Sequence, residues 1–133
     1  MSLDFYVIIP EQMYYIRENG STINIPSPDC NYEILHVGNI THNLNEMAKH
    51  VPVSKTLTLY NILWRPHESD LKTTDDILEY VTIAVKYLID HEEELLQYNP
   101  DNGWGNYESL LDFSKQVGSA CIFHPHCDIE VSR

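Results

Sequence analysis

The densest cluster of reactive side chains in this 133-residue chain is the stretch CIFHPHCD. Cys121, His124, His126, Cys127 and Asp128 fall within eight residues. Thiolate and imidazole are the ligands that zinc takes in a tetrahedron, so the residue types fit a metal site. The spacing is not that of a zinc finger, no C-x-x-C stands elsewhere, and Pro125 breaks the chain inside the set, which spreads the side chains apart. A second set is His42, Glu46 and His50. At i, i+4 and i+8 they share one helix face, and with a ligand from another element they could hold zinc or iron. Lys49 borders that face, and a solvated polar face accounts for all of them equally well. Asp101-Asn102-Gly103 has the look of an EF-hand loop, but the register fails. With Gly103 at loop position 6, Pro100 takes position 3 and Ser109 stands where the bidentate Glu belongs. His42, Glu46, His50, His124, His126 and Cys127 therefore stay weak metal candidates, and no metal or other cofactor is favoured.

Other catalytic templates are missing: there is no G-x-S-x-G, H-E-x-x-H, P-loop or G-x-G-x-x-G. Asp75 with Asp76, and Glu92 to Glu94, are neighbouring carboxylates that suit a solvated helix surface. The aromatic residues carry more. Trp64-Arg65-Pro66 puts a large ring and a guanidinium at a helix end, and Gly103-Trp104-Gly105 puts a second ring on a permissive turn. A buried Trp needs a partner for its N–H, and an exposed one anchors interfaces. Trp104 is expected to be a plug that sets the angle between two helices.

The elements that must position these residues run strands first, helices next and a strand last. Asp4 to Ile9 is β-branched and aromatic, hence a strand. Met13 to Arg17 and Thr22 to Ile25 flank Asn19-Gly20, a strong hairpin signal because both residues tolerate positive φ. Tyr32 to Val37 reads as a short strand or as irregular chain. Asn39 or Thr41 caps a helix carrying Ile40, Leu44, Met47, Ala48 and Val51 inward. Ser54 is the cap candidate for a second helix over Leu57 to Trp64. Thr73 or Thr74, followed by Asp75 and Asp76, opens a third that runs to about Gln97. Asn106 opens a fourth that ends at His124-Pro125, and Cys127 to Ser132 alternates as a half-buried strand. The fold expected is a single α+β domain over 1–133: a small antiparallel sheet, made of the N-terminal hairpin and the C-terminal strand, packed on about four helices.

Composition narrows the partners. Twenty acids against eight bases give a net charge of −12, which repels phosphates and disfavours direct nucleic-acid binding. Residues 73–101 alone hold eight acids and one base. They form either a solvated helix face or a surface for a basic protein partner. No apolar run approaches the ~20 residues of a membrane span, and Met1-Ser2-Leu3-Asp4 lacks the basic start of a signal peptide. Three cysteines, Cys30, Cys121 and Cys127, are too few for a disulfide framework. A cytoplasmic protein with no membrane partner is expected. An exposed sheet edge or Trp104 offers a surface for a homodimer.

The blocks NITHNLNEMA (Asn39 to Ala48), LWRP (Leu63 to Pro66), NPDNGWGNYESLLDF (Asn99 to Phe113), Ala120-Cys121 and IEVSR, in this order, resemble a group of small proteins encoded by bacteria and by phages or prophages. The resemblance spans roughly residues 35–133. That group has no established activity, so the resemblance implies kinship and points to positions rather than to a mechanism. Asn39, His42, Asn43, Trp64, Arg65, Asn102, Trp104 and Tyr107 fall in the matched blocks as candidate binding residues. If the Asn39–Asn43 and Gly103–Tyr107 segments meet in space, they would line a shared pocket. The leading expectation is a small acidic binding or interaction protein, a phage accessory or an inhibitor of the immunity type, and not an enzyme. The alternatives are a small metal-assisted enzyme and a DNA-mimic anti-restriction protein.

Overall fold

The computed structural model describes residues 1–10, 13–18, 21–26 and 32–133. Strand β1 (Ser2–Pro10) alternates strictly at its start: Leu3, Phe5 and Val7 are fully buried while their neighbours are partly exposed. That period of two turns one face of the strand to the core. β1 is the central strand of a three-stranded antiparallel sheet, between β4 (Tyr32–Thr41) and β5 (Asp128–Ser132). β5 buries Ile129 and pairs Val7 with it.

The α+β class is as the sequence predicts, and the structure refines how the sheet is composed. β2 (Met13–Glu18) and β3 (Ser21–Pro26) do pair in antiparallel register, Met13 with Pro26 through Glu18 with Ser21, but as a separate two-stranded ladder. The Asn19-Gly20 turn lies outside the described residues. The flank of β1 opposite β5 is taken by β4, which is a full ten-residue strand. Its register against β1 shifts between Phe5 and Tyr6, where Phe5 faces Gly38 and Tyr6 faces His36. One extra β4 residue at that point lets the strand bend and carries Asn39 along the sheet edge rather than into a helix.

Thr41 ends β4, and its hydroxyl accepts the Asn43 N–H. A 3₁₀ turn over His42–Leu44 follows, and then the short helix α1 (Asn45–Lys49). α2 (Leu59–Trp64) starts later than expected. At its start Asn61 Oδ1 accepts the Thr58 N–H at 2.9 Å and the Thr58 hydroxyl at 3.1 Å, while Ser54 closes the preceding turn by accepting the N–H groups of Thr56 and Leu57. α3 (Thr74–Asp90) carries the capping box of Thr73 with Asp76. It does not continue to Gln97. His91 leaves helical geometry at φ −120°, α4 (Glu92–Leu95) makes one further turn, and a 3₁₀ turn ends at Tyr98. α5 (Tyr107–Phe123) is capped by Asn106 with Ser109.

Packing follows from these faces. α3 and α5 lie against each other, with Gly118 close to Val81. α5 covers the sheet, where Phe113 meets Phe5 edge-on at 6.5 Å between ring centroids. Gly38 leaves room for this contact, since a Cβ there would stand 2.8 Å from Gln116 Oε1 and 3.3 Å from the Phe113 ring. Among the described residues no helix is long and apolar enough to cross a membrane.

Candidate functional site

The segments Asn39–Asn43 and Asn99–Tyr107 meet at the end of the sheet that holds Ser2 and Thr41. On the strand side, Asn39 Nδ2 donates to Ser2 Oγ at 2.8 Å and to Asp4 Oδ1 at 2.9 Å. His36 Nε2 lies 2.9 Å from the same Asp4 oxygen. The bond from Asn39, and after it the bond from His36, hold the Asp4 carboxyl below its usual range. On the loop side, Asn99 Oδ1 accepts the Tyr107 N–H at 2.8 Å and Asn102 Oδ1 accepts the Trp104 N–H at 2.9 Å. Gly103 and Gly105 take φ of +75° and +86°, a region that side chains other than glycine rarely adopt. Gly105 is the point of contact, because a Cβ on it would sit 2.6 Å from Thr41 Cγ2 and 3.1 Å from Leu44 Cδ1.

Their junction forms a cleft of about 440 Å³ lined by Met1, Ser2, Asn39, Thr41, Asn43 and Trp104. The plug reading of Trp104 is overturned, for its side chain is 70% exposed. The two positive-φ glycines turn the loop outward at that residue, so the ring stands beside the cleft. Trp64 is the tryptophan that packs inside, at 1% exposure.

A second cleft, of about 400 Å³, shares Met1 and lies toward α2. His42, Asn45, Tyr60 and Trp64 line it, with Arg65 and Arg133. The Trp64 indole N–H donates to His42 Nδ1 at 2.9 Å. Tyr60 stacks on Trp64 at 5.8 Å between centroids, and Lys49 Nζ lies 4.9 Å from the Tyr60 ring centroid. Arg65 Nε donates to the Tyr60 hydroxyl at 3.3 Å and lies 3.6 Å from Glu68. Arg133 Nη1 donates to the Trp64 carbonyl at 3.2 Å.

The structure thus gathers Asn39, Asn43 and Trp104 around one cleft and His42, Trp64 and Arg65 around the other. Asn102 and Tyr107 line neither. Asn102 shapes the loop, and Tyr107 is buried with its hydroxyl donating to the Leu88 carbonyl, which ties α5 to α3. Sequence reasoning missed Asn45, Tyr60 and Arg133. Tyr60 was within reach, since it stands four residues before Trp64 and so shares its helix face. Arg133 closes the IEVSR block, but nothing local brings it to Trp64; β5 places it there.

The two metal candidate sets do not converge. His42 is engaged by Trp64. His50 pairs with Glu46 at 3.3 Å and stacks on Tyr98 at 4.0 Å. His126 pairs with Asp75 across the α3 N-terminus. His124 ends α5, and its carbonyl accepts the Thr74 hydroxyl at 2.7 Å. Cys121 and Cys127 are buried free thiols. Burial pushes Cys121 up to about 12 and raises Cys127 as well, which disfavours the thiolate a metal needs. Among the described residues no three His, Cys, Asp or Glu side chains come together as a metal site. Cys30 lies outside the described residues.

Comparison with known proteins adds one partial likeness. The chain is similar to a cellodextrinase of Butyrivibrio fibrisolvens, 33% identical over 58 residues, which is 43% of this chain and 11% of that enzyme. No family model matches the chain. No solved structure gives a significant match.

Proposed function

We propose that this chain is a small acidic binding protein that engages a protein partner through the cleft between Asn39–Asn43 and Trp104. The observation that carries this reading is Trp104 itself: a large aromatic ring, 70% exposed, on a loop fixed by Asn102 and by two positive-φ glycines. A rigid exposed Trp loses little conformational freedom on binding and supplies a large contact area, which is why such residues dominate interface energetics. Asn39, Thr41 and Asn43 supply amide and hydroxyl groups beside it. The net charge of −12 favours a basic partner and speeds its encounter. A cytoplasmic setting, as a phage or prophage accessory or an inhibitor of the immunity type, agrees with the charge and with the buried free thiols. The likeness to a cellodextrinase covers 11% of that enzyme, too little to carry its activity over.

The test is capture from bacterial lysate by the native chain and by Trp104→Ala, at low and at high salt, with circular dichroism on both. The reading expects a basic partner held at low salt, released at high salt and lost by Trp104→Ala while its melting temperature is kept. Capture that survives the substitution, or no capture at low salt, overturns it.

A further inference from the structure

The second cleft differs in its chemistry from the Trp104 cleft. The chain carries only three arginines among its eight basic residues. Two of them, Arg65 and Arg133, line this one cleft, and among the described residues no carboxylate side chain lines it with them. Two guanidinium groups lining one cleft favour an anion there, and among the described residues Glu68, 3.6 Å from Arg65 Nε, pairs with only one of them.

The hydrogen-bond inventory points the same way. Trp64 N–H is a donor only, so His42 Nδ1 must be its acceptor, and the neutral imidazole carries its proton on Nε2. That leaves His42 an N–H to offer. Tyr60 Oη accepts from Arg65 Nε, so its own hydroxyl proton remains to be donated. Arg65 uses Nε for Tyr60 and Glu68, and among the described residues its two Nη groups have no hydrogen-bond partner. Arg133 spends Nη1 on the Trp64 carbonyl. Four side chains thus retain donors at one cleft.

We infer that the cleft of Arg65, Arg133, His42 and Tyr60 binds a small oxyanion, a phosphate or carboxylate group of a ligand. The planar guanidinium forks match either group in bidentate geometry. The Trp64 and Tyr60 rings form the wall behind it. Arg65 is 39% exposed along its side chain, so its guanidinium is open to a ligand from solvent and its attraction for an anion weakens with added salt. The site shares only Met1 with the Trp104 cleft and stands or falls separately.

The test is titration of the ¹⁵N-labelled full chain with inorganic phosphate and with acetate, against sodium chloride at matched ionic strength. Saturable shifts of the Trp64 indole and Arg65 Nε signals are expected with at least one of the two anions, and the one that saturates at lower concentration identifies the group. Arg65→Gln and Arg133→Gln are each expected to weaken binding about tenfold or more, the scale of a lost charge-assisted hydrogen bond, with Arg65→Lys recovering part of the loss. Trp104→Ala is expected to bind as the native chain does. Shifts that match chloride, or that never saturate with either anion, overturn the inference. So does undiminished binding by both glutamine variants. If a glutamine variant fails to fold, the native titration alone still decides.

Discussion

Trp64 and His42 are joined by a hydrogen bond of 2.9 Å from the indole N–H to the imidazole Nδ1, across 22 residues of sequence. The indole is 1% exposed, so this is the partner that a buried tryptophan requires. The bond also fixes the imidazole tautomer, with the proton on Nε2. Replacing His42 by Ala strands a buried donor and should cost about 1–3 kcal/mol. His42→Gln, whose amide oxygen can accept, should recover part of that. Urea unfolding of the two variants measures the difference, and equal stability of His42→Ala and native protein would refute the role. A long-range ¹H–¹⁵N spectrum should show an unprotonated Nδ1 at His42.

Much of the frame was legible because local rules and the tertiary fold agree along it. Thr73 and Asn106 are caps in the sequence and caps in the structure, and the alternation of Cys127 to Ser132 does describe β5. The failures have physical causes. Asn39 looks like a cap because its side chain is a good acceptor, but Ser2 and Asp4 take its amide protons from a neighbouring strand. No local pattern contains β1. Trp104 sits between glycines either way, and whether such a ring turns in or out depends on what fills the space beneath. Thr41 and Leu44 fill it, tight against Gly105. The matched blocks posed the meeting of the two segments only as a condition, and the contact of Gly105 with Thr41 and Leu44 is what answers it.

The α3 capping box should give the stability a pH dependence. The Asp76 carboxylate accepts the backbone N–H of Lys72 at 2.9 Å and that of Thr73 at 3.1 Å. These bonds, the one from Lys72 foremost, lower its pKa from 3.8 against a smaller opposing effect of desolvation. A folded-state pKa below the unfolded one contributes stability above the unfolded value and loses it as pH falls through the folded one. Asp76→Asn should therefore be less stable than native protein at neutral pH, with the gap narrowing below about pH 4. A gap that stays constant from neutral to acid pH would show that the ionised carboxylate contributes nothing.

The two tryptophans should behave as opposites. Trp64→Ala empties a site at 1% exposure and should cost about 3–5 kcal/mol. Trp104→Ala removes a ring at 70% exposure and should change stability by no more than about 0.5 kcal/mol. Thermal denaturation of both variants checks this. A large loss at Trp104 would mean that the ring holds the fold together, and the interface reading would lose its support.

The thiols give a direct check on the C-terminal cluster. With its thiol pushed up to about 12 and its side chain 1% exposed, Cys121 should resist iodoacetamide in native protein at neutral pH. Cys127, at 5% exposure and raised in the same direction, should resist as well. Both should react once urea unfolds the chain. Mass spectrometry of the labelled peptides reads each site separately. Fast native labelling of Cys121 would place it in a reactive surface cluster and reopen the metal reading.

Gly105 and Gly103 separate two causes that usually act together. Both have positive φ, so an alanine at either pays the left-handed penalty of roughly 1–2 kcal/mol. Only at Gly105 does the new Cβ also meet a wall, Thr41 Cγ2 at 2.6 Å, whereas nothing lies within 4 Å at Gly103. Thr41 belongs to the strand end that caps the next turn, so it has little freedom to move away. Gly105→Ala should therefore lose clearly more stability than Gly103→Ala, by a further ~1–3 kcal/mol, the usual cost of overpacking. It should also push the Trp104 loop off the Asn39–Asn43 segment and weaken partner capture more than its stability loss explains. Thr41→Ser, which removes the obstructing methyl and keeps the hydroxyl cap, should restore much of the loss in the double variant. If the two glycine variants are equally stable, or the Thr41→Ser background gives no rescue, the two turns do not touch as described and the cleft between them loses its floor.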